Sequence, residues 1–554
     1  MFVKIEKNPR VINLRRFNLF LFFALLATRF LGLNWGQGNF FHPDENNMAW
    51  GVGRLSWPDL NPEFFAYGQF PLYLVYVSVN LFGRIFGPAN WQKVSFPLAV
   101  YSLRFFSALF SVLSVIFGWW LAKELFKDKK GARIYSFLLT FTPGLIQAAH
   151  FGTTESLLVF TALSTAYFSL LLLRKPSFKI LFLTALVSAV GLSAKISAAA
   201  FLFPPVLAVL LSRKKGFGFL KKIIGLFVYG ILTLFLTIIF SPQLALNFEK
   251  SLSTLSYESR VAWGSSPVFY TRQFINTKPF IFQASKVFPW VLGTPLFLLL
   301  VFALGFFALG FFKKRLFSRP EIYVLLLSFL PWLLLNLFLF TKWTRFMTPV
   351  LPFLVLLPAW LISALWRLLE KSHFKIFLPV VLATLSLPGL FLLTIYLKTD
   401  IRISATEWMF KNIPEGSLVL SETGNVVDLP VWSKDSIRPE GNRFEIVNFD
   451  FYSLEGNGAK VVELEDLVNR ADYVLVPSRR IFTNYARLAD DFPETAAFHQ
   501  KLFSGELGFS PLISFEPLGS FGQILLGSDL LAEETWTVFD HPTIRLFVRQ
   551  REKY

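Results

Sequence analysis

The chain has 554 residues, 54% of them hydrophobic and only 16% charged, with 67 phenylalanines and a formal net charge of +18. A soluble domain carries nearer a quarter charged residues. No single aqueous core could hold this much apolar sequence, so a polytopic α-helical membrane protein is expected. The lack of cysteine excludes disulfides, thiolate catalysis and cysteine-ligated zinc. The basic residues fall in short clusters between apolar runs, Lys123 to Arg133, Arg213 to Lys222 and Lys313 to Arg319. That is the pattern of cytoplasmic loops, not the continuous basic face of a nucleic-acid binder.

In chain order, a basic N-terminus (Lys4, Lys7, Arg10, Arg15, Arg16) leads into an apolar run from Phe17 with no small-residue cleavage site. This reads as an uncleaved first helix with a cytoplasmic N-terminus. Further apolar helices are expected to begin near Leu98, Arg133, Ser156, Ile180, Ile196, Ile223, Pro289, Glu321, Phe346 and Ile376, giving about eleven spans. The stretch Phe70 to Phe86 carries Asn80 and Arg84 and is interrupted by Gly83. Laid along the interface, it leaves every basic cluster on the cytoplasmic side. Residues 1–397 are then the membrane module, with external loops 34–97 and 241–286. Residues 398–554 form an external soluble α/β domain, with strand-like pieces Ser417–Leu420, Tyr473–Val476 and Thr543–Val548. The chain is placed in a plasma membrane.

This topology gathers the polar groups at one face, where ionisable side chains beside a bilayer are costly. The strongest local signal is Phe41-His42-Pro43-Asp44-Glu45. Pro and two acids suit the first turn of a helix. They equally suit a general base, Asp44, that takes a proton from an acceptor hydroxyl, with Glu45 orienting it or a metal. The turn His150 to Glu155 is either an ordinary loop, with Thr154 as helix cap, or brings a second carboxylate, Glu155, across a cavity from the first. Lys195, in Gly191-Leu192-Ser193-Ala194-Lys195, either snorkels to the interface or holds a lipid phosphate. Arg345, in Lys342-Trp343-Thr344-Arg345-Phe346, suits bidentate phosphate recognition, with Lys342 and Arg272 as further cations. Interfacial anchoring explains the same residues. Arg29 and Arg104 lie near the external ends of apolar helices, where pairing with a loop acid and substrate contact are both open. Tyr257, Arg260, Trp263, Tyr270 and Arg272 of the long loop suit sugar or lipid-head contact and membrane interfaces alike.

The order of these features resembles the GT-C glycosyltransferases, in particular the protein O-mannosyltransferase-like and aminoarabinose-transferase-like branch. The matching pieces are the basic N-terminus and first span, Pro43-Asp44-Glu45, Phe70-Pro71-Leu72-Tyr73, the Arg104 helix, the Thr153–Glu155 turn, Gly191–Lys195, and Lys342–Phe346 with Pro352. Ala405 to Trp408 through Pro414–Gly416, and Glu534 through Val538 to Pro542, look like the two ends of the external domain of prokaryotic members. The resemblance implies inverting transfer of a sugar from a polyprenyl-phosphate donor to an acceptor hydroxyl, with Asp44 as base. The position of Glu155 is often Asp in relatives. The tail departs from the β-trefoil inserts of eukaryotic protein mannosyltransferases. An anchored lipid phosphate as leaving group can be stabilised by Lys195 and Arg345, so no cofactor is required; Asp44 and Glu155 could still bind a divalent metal. His42, Arg104 and His150 join the loop residues as possible substrate contacts. The acceptor is a glycan, a lipid or a protein.

Two other classes fit the composition: a lipid or sugar transporter, and a membrane-anchored binding protein with the tail as receptor. Transporters usually show internal repeats and a site near the midplane; here no repeat is evident and the charges gather at one face. A receptor leaves the paired acids unexplained.

Overall fold

The computed structural model describes residues 9–87, 93–311, 319–369, 377–423, 428–430 and 444–550. Lys4, Lys7, Lys313, Lys314, Arg315 and the expected helix start at Ile376 lie outside them. The first half of the chain forms helices α1 (Pro9–Phe30), α2 (Pro43–Arg54), α3 (Phe70–Phe86), α4 (Phe96–Phe126), α5 (Lys129–Phe141), α6 (Pro143–His150), α7 (Glu155–Arg174), α8 (Phe178–Ala194), α9 (Phe203–Leu211), α10 (Phe219–Phe240), α11 (Gln243–Leu246) and α12 (Phe248–Trp263). There follow α13 (Ile281–Lys286), α14 (Phe288–Leu292), α15 (Thr294–Phe311), α16 (Pro320–Leu327), α17 (Leu330–Phe338), α18 (Thr344–Met347), α19 (Leu351–Leu369) and α20 (Phe377–Leu397).

Every apolar segment expected from the sequence contains helix. Among the described residues, 6 helices are long and apolar enough to cross a membrane: α4, α7, α10, α16 with α17, α18 with α19, and α20. The chain is a multi-pass membrane protein. Four further apolar helices, α3, α8, Ile196–Leu211 and α15, are shorter. The run expected from Arg133 is divided at Thr142, because Pro143 has no N–H to donate and disfavours helical backbone in the residue before it. The segment from Ile180 stops at Ala194, Lys195 taking extended backbone before a 3₁₀ turn, Ile196–Leu202.

The tail adds α21 (Ile401–Asn412), α22 (Gly458–Arg470), α23 (Phe482–Arg487), α24 (Pro493–Ser504), α25 (Gly519–Leu526) and α26 (Glu534–Thr537), with strands β1 (Ser417–Glu422), β2 (Phe444–Phe449), β3 (Tyr473–Val476), β4 (Phe509–Phe515) and β5 (Ile544–Arg549). The strand order is β2-β1-β3-β5-β4. β1 pairs in parallel with β2 and β3, and β5 is antiparallel to β3 and β4. All six residues of β1 are buried, as a central parallel strand covered on both faces requires. Three of the five strands coincide with the strand-like pieces of the sequence; β2 and β4 carry weaker signals.

The tail is not a separate body hung on the last helix. Leu526, Ala532, Trp536, Val538 and Phe539 sit in the same apolar core as the membrane helices. Arg402, fully buried, ties the start of the tail to its end. Its guanidinium grips Asp400 at 2.8 and 2.7 Å, donates to the Phe539 carbonyl at 2.9 Å and lies 3.6 Å over the Phe41 ring.

Two buried arginines fix the membrane module. Arg29 donates to Ser111 Oγ (2.8 Å) and to the carbonyls of Leu139 (2.9 Å) and Thr140 (3.0 Å). Arg104 binds both oxygens of Glu45 at 2.9 and 2.8 Å and the carbonyls of Leu33 and Trp35 at 2.9 Å. Neither side chain of the Arg104–Glu45 pair touches solvent. Removing one partner of a buried pair typically costs about 3–5 kcal/mol, because the survivor keeps a buried, uncompensated charge. Arg104→Met is therefore expected to lower the thermal midpoint and folded yield in detergent sharply, and Glu45→Gln in the same chain to recover part of the loss. Strictly additive losses in the two single variants and the double variant would contradict the coupling.

Candidate active site

The first loop places its acids by helix geometry. Pro43, Asp44 and Glu45 open α2, with His42 as the residue before it, so the helix-start reading of the motif holds as local structure. Successive side chains on a helix diverge by about 100°, and the two carboxylates part company. Glu45 turns inward to Arg104 and accepts the Gly152 N–H at 2.6 Å. Asp44 turns the other way and makes an ion pair with Arg345. Gly152 has to be glycine for this approach: a Cβ there would stand 2.7 Å from Leu103 Cβ.

The second turn brings Glu155 to the start of α7, where its oxygen faces Lys195 Nζ at 4.0 Å. The Lys195 turn is held from outside by the first loop. Gly68 N donates to the Ala194 carbonyl at 3.0 Å, and a Cβ on Gly68 would stand 2.0 Å from the Ser193 oxygen. The Lys195 ammonium lies 5.1 Å from the Tyr67 ring centre and 4.9 Å from that of Phe346. Arg345, one residue away, lies over Trp343 (5.1 Å) and Phe346 (5.8 Å). Two cations, each paired with a carboxylate, thus share one aromatic ring.

The end of the tail supplies a wall. Glu533 accepts the Thr344 N–H at 2.9 Å, binding the first amide of α18, and also holds Thr535 Oγ1 at 2.5 Å. Gln147 donates to the Trp536 carbonyl (2.8 Å) and to Asp540 (3.1 Å), which accepts the Tyr396 hydroxyl at 2.6 Å. A pocket of about 430 Å³, its open mouth included, lies between. It is lined among others by His42, Thr153, Glu155, Thr344, Arg345, Thr535 and Phe539. Three buried polar atoms at its wall have no partner: His42 Nδ1, Thr344 Oγ1 and Arg345 Nε. A polar ligand in the pocket would satisfy them.

The structure brings together Asp44, Glu155, Lys195, Arg345 and His42, on the side of the membrane module that bears the tail. It gives other surroundings to the rest. Glu45 and Arg104 satisfy each other and neither lines the pocket, so of the two readings open at Arg104 the geometry shows the pairing with a loop acid. His150 is fully buried, both ring nitrogens against backbone carbonyls (Ile146 at 2.8 Å, Leu31 at 2.9 Å) and its ring stacked 3.9 Å from Tyr396; it offers a substrate nothing. Arg272 turns to the tail, bonding the Tyr485 hydroxyl and lying 4.6 Å over Phe492, so it does not share the phosphate-binding position of Arg345. Lys342 is bound to Thr277 Oγ1 (3.2 Å) and the Phe340 carbonyl (2.9 Å). Tyr257, Arg260 and Trp263 are exposed on α12, while Tyr270 packs on Trp343 with ring centres 6.2 Å apart. None of these lines the pocket; Asp44 and Lys195 do not line it either, but each is paired with a residue that does, Arg345 and Glu155. Among the described residues no three His, Asp or Glu side chains are grouped as a metal site. Glu533, Thr535 and Phe539 are the site residues that sequence reasoning did not single out.

The fold and the site define a class: a multi-pass helical module with a charged pocket at one face, roofed by its own C-terminal segment. The sequence profile of the dolichyl-phosphate-mannose-protein mannosyltransferase family matches residues 96–245, and the enzyme class is accordingly a glycosyltransferase. The matched stretch, from α4 into α11, holds Glu155 and Lys195; Asp44 and Arg345 lie outside it. No curated protein matches the chain. Among solved structures the chain is similar to the oligosaccharyltransferase AglB from Archaeoglobus fulgidus in complex with an inhibitory peptide and a dolichol-phosphate (14% identity, 91% of this chain and 73% of that one, TM-score 0.48). It is also similar to ArnT from Cupriavidus metallidurans, in the apo state (14%, 87% and 94%, 0.44) and bound to undecaprenyl phosphate (12%, 98% and 98%, 0.41).

Burial between Phe151 and Phe539, and then the charges of Arg345 and Arg104, hold the His42 ring well below the usual histidine range. The unfolded chain takes up that proton near pH 6.5 while the folded chain does not. Stability therefore falls as pH drops below about 6.5, by at most about 1.4 kcal/mol per unit. Between pH 7 and 5 the thermal midpoint of wild type is expected to fall further than that of His42→Asn. Parallel curves would show that His42 is not held neutral.

Proposed function

We propose that the pocket transfers a sugar, a hexose or pentose, from a polyprenyl-phosphate donor to an acceptor hydroxyl with inversion, on the external face of the membrane. The acceptor oxygen attacks the anomeric carbon while the bond from that carbon to the phosphate oxygen breaks. The hydroxyl proton passes to Asp44, and the polyprenyl phosphate leaves with the bonding electrons. Arg345 and Lys195 face the charge that develops on the phosphate, and Glu155 holds Lys195 on that side. The membrane keeps the lipid phosphate at one depth, which supplies much of the positioning.

The observation that carries this reading is the Asp44–Arg345 contact beside three unpaired polar atoms. The base and the cation that faces the phosphate are paired with each other. A donor phosphate competes with Asp44 for the guanidinium, and its arrival frees the carboxylate for the acceptor. His42 and Thr344 then meet sugar or acceptor hydroxyls with the atoms that now lack partners. The external orientation rests on reading the basic clusters of the sequence as cytoplasmic.

The test is release of polyprenyl phosphate from labelled polyprenyl-phosphate sugars by reconstituted protein. General-base contributions are typically about a hundred- to ten-thousand-fold, and Asp44→Asn is expected to lose turnover on that scale with donor binding intact. Arg345→Ala and Lys195→Ala should weaken donor use, and Arg345→Lys should restore it only in part, since an ammonium lacks the planar fork. If Asp44 served only to start α2, Asp44→Asn would stay within a few-fold of wild type, and that result would remove it as the base.

A further inference from the structure

The tail carries one helix that does not belong in water. α25 buries Leu526 in the membrane-helix core, with Leu518 packed beside it. A Cβ on Gly522 would stand 3.2 Å from the ring of Phe391 on α20. The Phe521 and Phe391 rings lie 5.2 Å apart. The following Gly527 backs onto Trp290 of α14, where a Cβ would come within 2.9 Å of the indole nitrogen. Leu518, Gly522 and Leu526, spaced four apart, are thus one packed stripe of the helix.

The opposite side is apolar as well. Phe521 is 58% exposed and Ile524, three residues on, 75%; Leu530 and Leu531 of the next turn are exposed too. From Pro517 to Leu531 the only charged side chain is Asp529, which is buried and accepts the Thr543 hydroxyl at 2.6 Å. A surface helix of a soluble domain puts charge on its outer face, as α22 does with its Lys460–Glu463 and Asp466–Arg470 pairs; α25 carries none, its polar side chains being Ser520 and Gln523, which donates to Glu516 at 3.1 Å, and so large an apolar share on an outer face is covered by protein or by lipid. The place of α25 says which. Phe391 lies six residues before the tail-side end of α20 at Leu397, about 9 Å along the helix axis. With the end of α20 taken as the level of the membrane surface, that is the depth of the headgroup and upper acyl region, in which interfacial helices seat about 5–10 Å deep. The helix against which α25 packs, α20, itself exposes Leu387, Leu390 and Leu397.

We propose that α25 and the turn after it lie in the membrane interface, Phe521, Ile524, Leu530 and Leu531 against lipid acyl chains, so that the C-terminal domain is anchored to the bilayer as well as to the helices. The glycosyl-transfer reading is not needed for this. Because α25 is followed within the same stretch by Glu533, Thr535 and Phe539, the anchor also fixes the height of the pocket wall over the membrane.

The chain has no cysteine, so single-cysteine variants label cleanly. Ile524→Cys, and Phe521→Cys as a second variant, carry an environment-sensitive fluorophore in full-length protein in phosphatidylcholine vesicles; Leu390→Cys on α20 and Val462→Cys on the exposed face of α22 are references. Lipid doxyl-labelled near the headgroup is expected to quench the labels at 524 and 521 as strongly as the label at 390, with aqueous iodide barely reaching them, while the label at 462 behaves in the opposite way. Iodide quenching at 524 and 521 equal to that at 462 would overturn the proposal. So would shielding from both quenchers, which would mean that a protein surface, a second copy or another chain, covers the helix.

Discussion

The arrangement of the site depends on one buried charge pair. Arg104 sits within the apolar helix α4, where an unpaired guanidinium would be very costly. It is satisfied by Glu45 and by two carbonyls of the first loop, so the loop after α1 is obliged to fold back onto α4. Glu45 in turn draws in the Gly152 amide, which sets the turn that starts α7 with Glu155. With Glu45 committed inward, the helical step from one residue to the next leaves Asp44 facing Arg345. One ion pair outside the proposed chemistry thereby positions Asp44, the proposed base, and Glu155, which holds Lys195.

The tail completes what the helices begin. Glu533 binds the first amide of α18, next to Arg345, and Thr535 and Phe539 line the pocket. Arg402 clamps the first and last parts of the tail on Phe41, one residue before His42. The C-terminal domain is therefore part of the site's construction, which gives a physical reason for a sheet domain to remain attached to a membrane module.

Much of this was legible in the sequence, and what was not has identifiable causes. Hydropathy located every apolar segment, since length and apolarity are local properties. It did not show that the segment from Arg133 divides at Thr142, although Pro143 was the available signal. The Asp44–Glu45 pair was visible as a site, but its division of labour needed the partner positions of Arg104 and Arg345. His150 and Arg272 looked like ligands because they are polar residues at the right face; their needs are met by carbonyls and by Tyr485, which no local pattern reveals. Glu533, Thr535 and Phe539 stand far along the chain from every other site residue; Thr535 and Phe539 fall in the piece Glu534 to Pro542 that resembles the end of the external domain, but nothing in its spacing ties it to the pocket. Only the return of the tail to the helices places them, and that return is a property of packing.

The central claim is that the pocket beside Arg345 and Lys195 receives the phosphate of a polyprenyl carrier and that its arrival opens the Asp44–Arg345 contact. The most direct measurement is a structure of the protein with a polyprenyl phosphate bound. A phosphate oxygen is expected within about 3 Å of the Arg345 guanidinium, with Lys195 turned toward it and the Asp44 carboxylate released. A lipid phosphate seated elsewhere, with the Asp44–Arg345 contact intact, would contradict it.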